Sequence, residues 1–211
     1  MYAVRSTDTS IHASMHSYKL SGVDGGVHEH TYLLDGATPI HIAARYGHLD
    51  IVMFIAAYLN NPNPSKANGF TPMCLAAANG HTDIVKFMAS IIIENPNAPK
   101  PNGSTPIHLA AYYGHLEIVQ FMANMVDNPN IPRLDGWTPI QMAAKYGHTE
   151  IVQFLASIIE YPNSPGPNGW TPIHLAARYG FTEIVKFMVS KVENPNLPKP
   201  NGCTMVHDVT F

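Results

Sequence analysis

The dipeptide Thr-Pro returns at Thr38-Pro39, Thr71-Pro72, Thr105-Pro106, Thr138-Pro139 and Thr171-Pro172, with Thr204-Met205 as an altered sixth copy. Successive threonines stand 33, 34, 33, 33 and 33 residues apart. A fixed period of this size is the signature of a stacked-repeat solenoid, in which each unit touches only its neighbours. The 211 residues therefore need not be divided into one or two globular domains. Five full units span 35–67, 68–101, 102–134, 135–167 and 168–200, and residues 201–211 form a truncated sixth.

Each unit has the same local grammar. An Asp-Gly or Asn-Gly pair, from Asp35-Gly36 to Asn201-Gly202, supplies the positive φ of a tight hairpin turn. Thr-Pro follows after one residue: the Thr hydroxyl can accept from the orphan N–H groups of a helix start, and Pro is preshaped for the first helical position. A short helix runs through paired alanines such as Ala110-Ala111, small enough for close helix approach. Gly47, Gly80, Gly114, Gly147 and Gly180 are expected to end it as left-handed caps. A second helix starts at once, with Asp50, Asp83, Glu117, Glu150 or Glu183 in its first turn, where the helix dipole favours an acid. Its Ile-Val-x-Phe core is apolar at helical spacing, and a Pro-rich loop breaks it.

The motif Gly-x-Thr-Pro-Ile-His-Leu-Ala-Ala, with Tyr-Gly-His and Glu-Ile-Val-x-Phe as in Gly103 to Phe121, resembles the core of the ankyrin-repeat family. The resemblance covers residues 35–200. It implies an all-α fold, an ankyrin-repeat solenoid of helix-turn-helix units joined by β-hairpin loops, that works as a non-catalytic binding scaffold with no cofactor. Three departures stand out. Val126-Asp127, Ile159-Glu160 and Val192-Glu193 replace the usual Gly-Ala after the second helix, one unit carries an extra residue, and neither end shows a polar terminal repeat. The bare ends lead to the expectation that the chain is part of a longer protein.

The regular histidines invite a metal or proton-relay reading. His41, His108 and His174 follow Thr-Pro-Ile, while His48, His81, His115 and His148 follow the capping glycine. The resemblance assigns the first set to hydrogen bonds within the hairpin framework and the second to the start of helix two. Cys74, Gln141 and Phe181 substitute for them within the same chain, and a position that accepts Phe is not a ligand position. There is no Gly-rich phosphate loop, nucleophile elbow or HExxH motif. Residues 1–34, rich in Ser, His and Gly, are expected to be a mobile flank, and its His12, His16, His28 and His30 have no cysteine partner for a zinc site.

Composition narrows the setting. A net charge of -3 with 13% charged residues disfavours non-specific nucleic-acid binding without excluding a local basic face. Cys74 and Cys203 form no zinc or CxxC spacing, which suits a reducing compartment. No apolar h-region follows Met1 to Arg5 and no apolar run reaches membrane-spanning length. The expected location is cytoplasmic, with the nucleus as an alternative, and the expected state is a monomer without membrane insertion.

Function is legible only where the repeat leaves residues free. The family docks partners on the hairpin tips and the exposed side of the first helix. The slots there hold Phe70, Trp137 and Trp170 before Thr-Pro, and Arg45-Tyr46, Tyr112-Tyr113, Lys145-Tyr146 and Arg178-Tyr179 before the capping glycine. Lys66, Lys100, Arg133 and Lys199 approach the hairpins, while the acids concentrate on the second helices. A basic, aromatic-lined concave face therefore points to a partner protein with an acidic segment. The groove tyrosines could instead serve as a packing ladder. The tip tryptophans are expected to be accessible. The competing reading is a sensor for a nucleotide or short single-stranded nucleic acid, with bases on Trp137 or Trp170 and phosphates at Arg133, Lys145 and Arg178.

Overall fold

A computed structural model describes residues 36–92 and 95–192. The N-terminal flank and its histidines, the sixth unit, and Lys199 lie outside them. In chain order the helices are α1 (Pro39–Tyr46), α2 (Leu49–Ala56), α3 (Pro72–Asn79), α4 (Thr82–Ile91), α5 (Pro106–Tyr113), α6 (Leu116–Ala123), α7 (Pro139–Tyr146), α8 (Thr149–Ile158), α9 (Pro172–Arg178) and α10 (Thr182–Val189). Each unit contributes one antiparallel pair. The first helices α1, α3, α5, α7 and α9 stack in one layer and the second helices in another. Neighbouring first helices pack more closely than neighbouring second helices, because the first helices carry small, buried alanine pairs such as Ala76-Ala77 and Ala110-Ala111. Unequal spacing curves the stack toward the first helices, making their side concave.

The start of α3 shows how a first helix satisfies its backbone donors. In α3, Pro72 has no N–H to satisfy, the Met73 N–H donates to Asn63 Oδ1 at 3.1 Å, and the Cys74 N–H donates to Thr71 Oγ1 at 3.2 Å. The same reach across ten residues joins Ile107 to Asn97, Ile140 to Asn130 and Ile173 to Asn163. The loop Asn, eight residues before each Thr, is thus part of the cap. The first unit has His30 at that place, outside the described residues. The extra residue of the second unit falls between Met88 and Asn97, upstream of this cap, so the cap spacing is kept.

The hairpin tips are closed by two backbone bonds each, as in Lys100 N–H to Ser104 O at 2.8 Å and Gly103 N–H to Lys100 O at 2.8 Å. They do not extend into a ladder: no strand occurs among the described residues. As the sequence implies, the second helices end without glycine, on Ala57, Ile92, Asn124, Ile159 and Ser190. The first helices α1, α3, α5 and α7 end on left-handed glycines. α9 stops one residue sooner, on Tyr179, with Gly180 still at positive φ.

One continuous core runs through all the described units. Its inner row is Ile40, Met73, Ile107, Ile140 and Ile173, and a second row includes Val52, Val85, Val119 and Val152. The glycine between helices lets the next unit close in. A Cβ on Gly114 would stand 2.7 Å from the His148 ring, whereas one on Gly180 would meet nothing within 4 Å. Both glycines have positive φ, so both alanine substitutions carry about 1–2 kcal/mol of backbone strain. Gly114→Ala must also displace a packed imidazole. It is expected to lower the melting temperature by clearly more than Gly180→Ala, measured by differential scanning calorimetry.

Candidate interaction surface

The histidines come first, because their geometry decides whether they are available for chemistry. His81 Nε2 lies 2.8 Å from the Arg45 carbonyl, His115 Nε2 3.1 Å from that of Ala78, and His148 Nε2 2.9 Å from that of Tyr112. Each of these imidazoles reaches back and closes the end of the preceding unit's first helix, a contact the sequence did not suggest. Where Phe181 takes the place, its ring packs against Gly147 instead.

The other set reaches forward. In the fourth unit Gln141 Nε2 donates to the Ser164 and Trp170 carbonyls of the next hairpin at 3.2 and 3.1 Å. His108 stands at the same sequence step from Ile131 and Trp137, but its buried Nε2 makes no hydrogen bond. Its Nδ1 lies 2.9 Å from Thr105 Oγ1 and accepts from the Thr105 N–H at 3.3 Å. Burial lowers the His108 pKa to about 4, so the ring is neutral at pH 7 with its proton on Nε2. These are framework bonds. Among the described residues no group of three or more His, Cys, Asp or Glu is placed to hold a metal ion.

A folded pKa below the unfolded value of ~6.5 means the unfolded chain takes up the proton first. The stability this ring contributes is present above pH 6.5 and lost as pH falls toward 4. The full difference is about 3 kcal/mol. Because Gln141 fills the equivalent place in the next unit and bonds the following hairpin there, His108→Gln is expected to keep the melting temperature at pH 7.5 and to shift the acid-unfolding midpoint to lower pH, followed by circular dichroism.

The residues left over by the framework lie on the concave side. Exposed Tyr46, Tyr113, Tyr146 and Tyr179 stand one per unit just before the capping glycine, interrupted only by Asn79. Half-buried Arg45, Tyr112 and Lys145 and exposed Arg178 form the neighbouring row. Phe70, Trp137 and Trp170 at the tips are half-buried. Both tryptophans pack against the core, which corrects the expectation of accessible tip indoles.

Cations lie over these rings. Lys100 Nζ is 3.3 Å from the Phe70 centroid, Lys145 Nζ is 5.2 Å from Trp137 and 5.4 Å from Tyr146, and the Arg178 guanidinium is 5.3 Å from Trp170. Arg45 lies 5.9 Å from Tyr46. Such contacts contribute about 0.5–1 kcal/mol each where solvent reaches them, enough to orient a long side chain without neutralising it. Tyr112 links the tyrosine row, 4.3 Å from Tyr146 and 4.6 Å from Tyr113 between ring centroids. Its hydrogen bond to Tyr146 raises its phenol pKa. The packing ladder is therefore real at Tyr112–Tyr146, while Tyr179 has no ring partner among the described residues.

Two members of the basic row leave the face. Lys66 is buried, covered as its hairpin closes on the Phe70 carbonyl. Arg133 is paired to Asp135, with Nε 3.0 Å from Oδ1 and Nη2 bonded to Oδ2, so its charge is largely compensated. Lys145 and Arg178 have no acidic partner among the described residues. Burial lowers the pKa of Lys100, with the nearby Arg133 and Lys66 charges acting in the same direction.

The family description for ankyrin repeats in three copies matches residues 1–97 and again 88–164, and the single ankyrin repeat matches 168–199. The chain belongs to the ankyrin-repeat family. No curated protein matches it. The ankyrin array is a non-catalytic scaffold, and the family recognises other proteins through its concave repeat face. Among the described residues no helix is long and apolar enough to cross a membrane.

Proposed function

We propose that this ankyrin array captures an acidic, aromatic-containing segment of a partner protein along its concave face, acting as a monomer in the cytoplasm or nucleus. The observation that supports this most directly is the placement of Lys145 and Arg178 against Trp137 and Trp170, without acidic neighbours among the described residues. An ammonium or guanidinium held over an indole keeps its charge directed outward, and a carboxylate brought to it gains a charge-assisted hydrogen bond. The exposed Tyr113, Tyr146 and Tyr179 offer rigid amphipathic surface between the cations at low entropy cost. The acids of the second helices, such as Glu117 and Glu183 with their Lys86 and Lys186 pairs, lie in the other layer and would not repel an acidic guest.

The same geometry argues against a base-stacking sensor. Each indole already has the core on one side and a cation nearby, Arg133 is occupied by Asp135, and Lys66 is buried. Little remains of a stacking platform flanked by phosphate contacts.

Peptide display against the full chain is expected to enrich sequences that interleave Asp or Glu with Tyr, Trp or Phe. Lys145→Glu with Arg178→Glu should then weaken the selected peptides by about tenfold or more, ~1.4 kcal/mol, with far-UV circular dichroism unchanged. Raising salt from about 50 to 300 mM should weaken them further. Selection of basic peptides, undiminished affinity in the double variant, or equal competition by an oligothymidylate would each overturn the reading.

A further inference from the structure

The hairpin tip that opens the fifth unit is built differently from the three before it. In those, the tip Asn or Asp ties itself to the turn. Asn68 Oδ1 accepts the Phe70 N–H at 3.2 Å, Asn102 Oδ1 the Ser104 N–H at 3.0 Å, and Asp135 Oδ1 the Trp137 N–H at 3.3 Å. In the fifth unit the Trp170 N–H donates to the Pro167 carbonyl at 3.2 Å instead. The exposed Asn168 side chain makes no hydrogen bond among the described residues. Asn168 is also the one non-glycine residue at positive φ among them, at 54°, a conformation that Asn tolerates but that stores strain. The bond from the tip glycine N–H that closes each turn is longest here as well: 2.7 Å at Gly69, 2.8 Å at Gly103, 2.9 Å at Gly136 and 3.1 Å at Gly169.

The difference traces to Gly166, which stands where other units have Lys66, Lys100 and Arg133. A Cβ on Gly166 would collide with the Gln141 amide, so glycine is what lets that amide reach the Ser164 and Trp170 carbonyls. Pro167 is not the cause. Pro101 holds the same place before Asn102, which is not at positive φ.

An Asn followed by Gly is open to attack on its own side chain, because glycine puts no Cβ in the way and its backbone turns freely. The deprotonated Gly169 nitrogen bonds to Asn168 Cγ, the Cγ–Nδ2 bond breaks, and ammonia leaves. Water then opens the resulting cyclic imide at one carbonyl or the other, giving Asp or isoaspartate. Nothing is oxidised, and water is the only reagent. At Asn68 and Asn102 the side chain must first give up its bond to the turn, and the glycine N–H is held more tightly. Asn168 lacks the first restraint and has the second in its weakest form.

We propose that Asn168 is the preferred site of spontaneous deamidation among the Asn-Gly pairs of the described residues, and that its conversion weakens capture of acidic segments. The second half rests on the reading of the concave face as an acidic-segment site. Asp135 shows what a carboxylate does at this place: it engages its own hairpin's cation, Arg133. The fifth hairpin has Gly166 there. A new carboxylate therefore stands uncompensated by its hairpin, two residues from Trp170, over which Arg178 lies. It repels an acidic guest and competes with it for Arg178.

Peptide mapping by mass spectrometry of the full chain, aged in mildly alkaline buffer, tests the site. Conversion at Asn168, with isoaspartate among the products, is expected to outpace that at Asn68 and Asn102 by about fivefold, the factor that one ordinary hydrogen bond allows. Equal or slower conversion at Asn168 overturns it. Asn168→Asp is expected to weaken acidic peptides selected on the unaltered array by about threefold at low salt, the scale of one surface charge pair. Asn168→Gly, which suits the positive φ, is expected to bind them as the unaltered array does. If Asn168→Asp keeps full affinity for peptides that still require Arg178, the effect on capture is overturned and the concave-face reading stands. Peptides that ignore Arg178 overturn both, while the order of conversion among the Asn-Gly pairs is decided by the mass spectra alone.

Discussion

The end of a helix leaves carbonyls without partners, and in this protein the next unit supplies the missing donor. His81, His115 and His148 reach back from the start of one second helix to the last turn of the preceding first helix. Gln141 reaches forward from the start of a first helix to the following hairpin. The imidazole bonds and the Gln141–Trp170 bond each join one unit to the next. Together with the shared apolar core they make the units interdependent, so register along the stack is fixed by polar side chains and its strength comes largely from burial. The seam before α10 is the exception, where Phe181 replaces the imidazole and packs on Gly147.

This framework sets what the concave face can be. Once Thr, Pro, His, Ala and Gly are committed to caps, clamps and close approach, few positions per unit remain open, and those carry Tyr, Trp, Lys and Arg. The half-burial of Trp137 and Trp170 gives their cations a firm seat. The buried Lys66 and the paired Arg133 show that a basic residue near a hairpin is not automatically a surface charge.

The period, the helix pairs, the glycine caps and the glycine-free ends of the second helices could all be read from the sequence, because each rests on residue types whose backbone preferences are strong and local. Longer-range relations could not. The Asn63, Asn97, Asn130 and Asn163 caps act across ten residues, although their constant spacing from Thr was a usable signal. The backward reach of His81 spans 36 residues, so sequence placed it at a helix start without its partner. The candidate face was legible as a list of slots, and its electrostatics were not: which cation is covered, paired or held on a ring depends on how one hairpin lies over the next.

The clamps run both ways along the stack. His81, His115 and His148 reach backward to the preceding first helix, and Gln141 donates forward to the following hairpin. An internal unit is therefore held from both sides, while a unit at an end of the stack lacks the bonds of one neighbour. Opening of such an array begins at its ends and spreads inward, because each unit that loosens takes away part of the next unit's support.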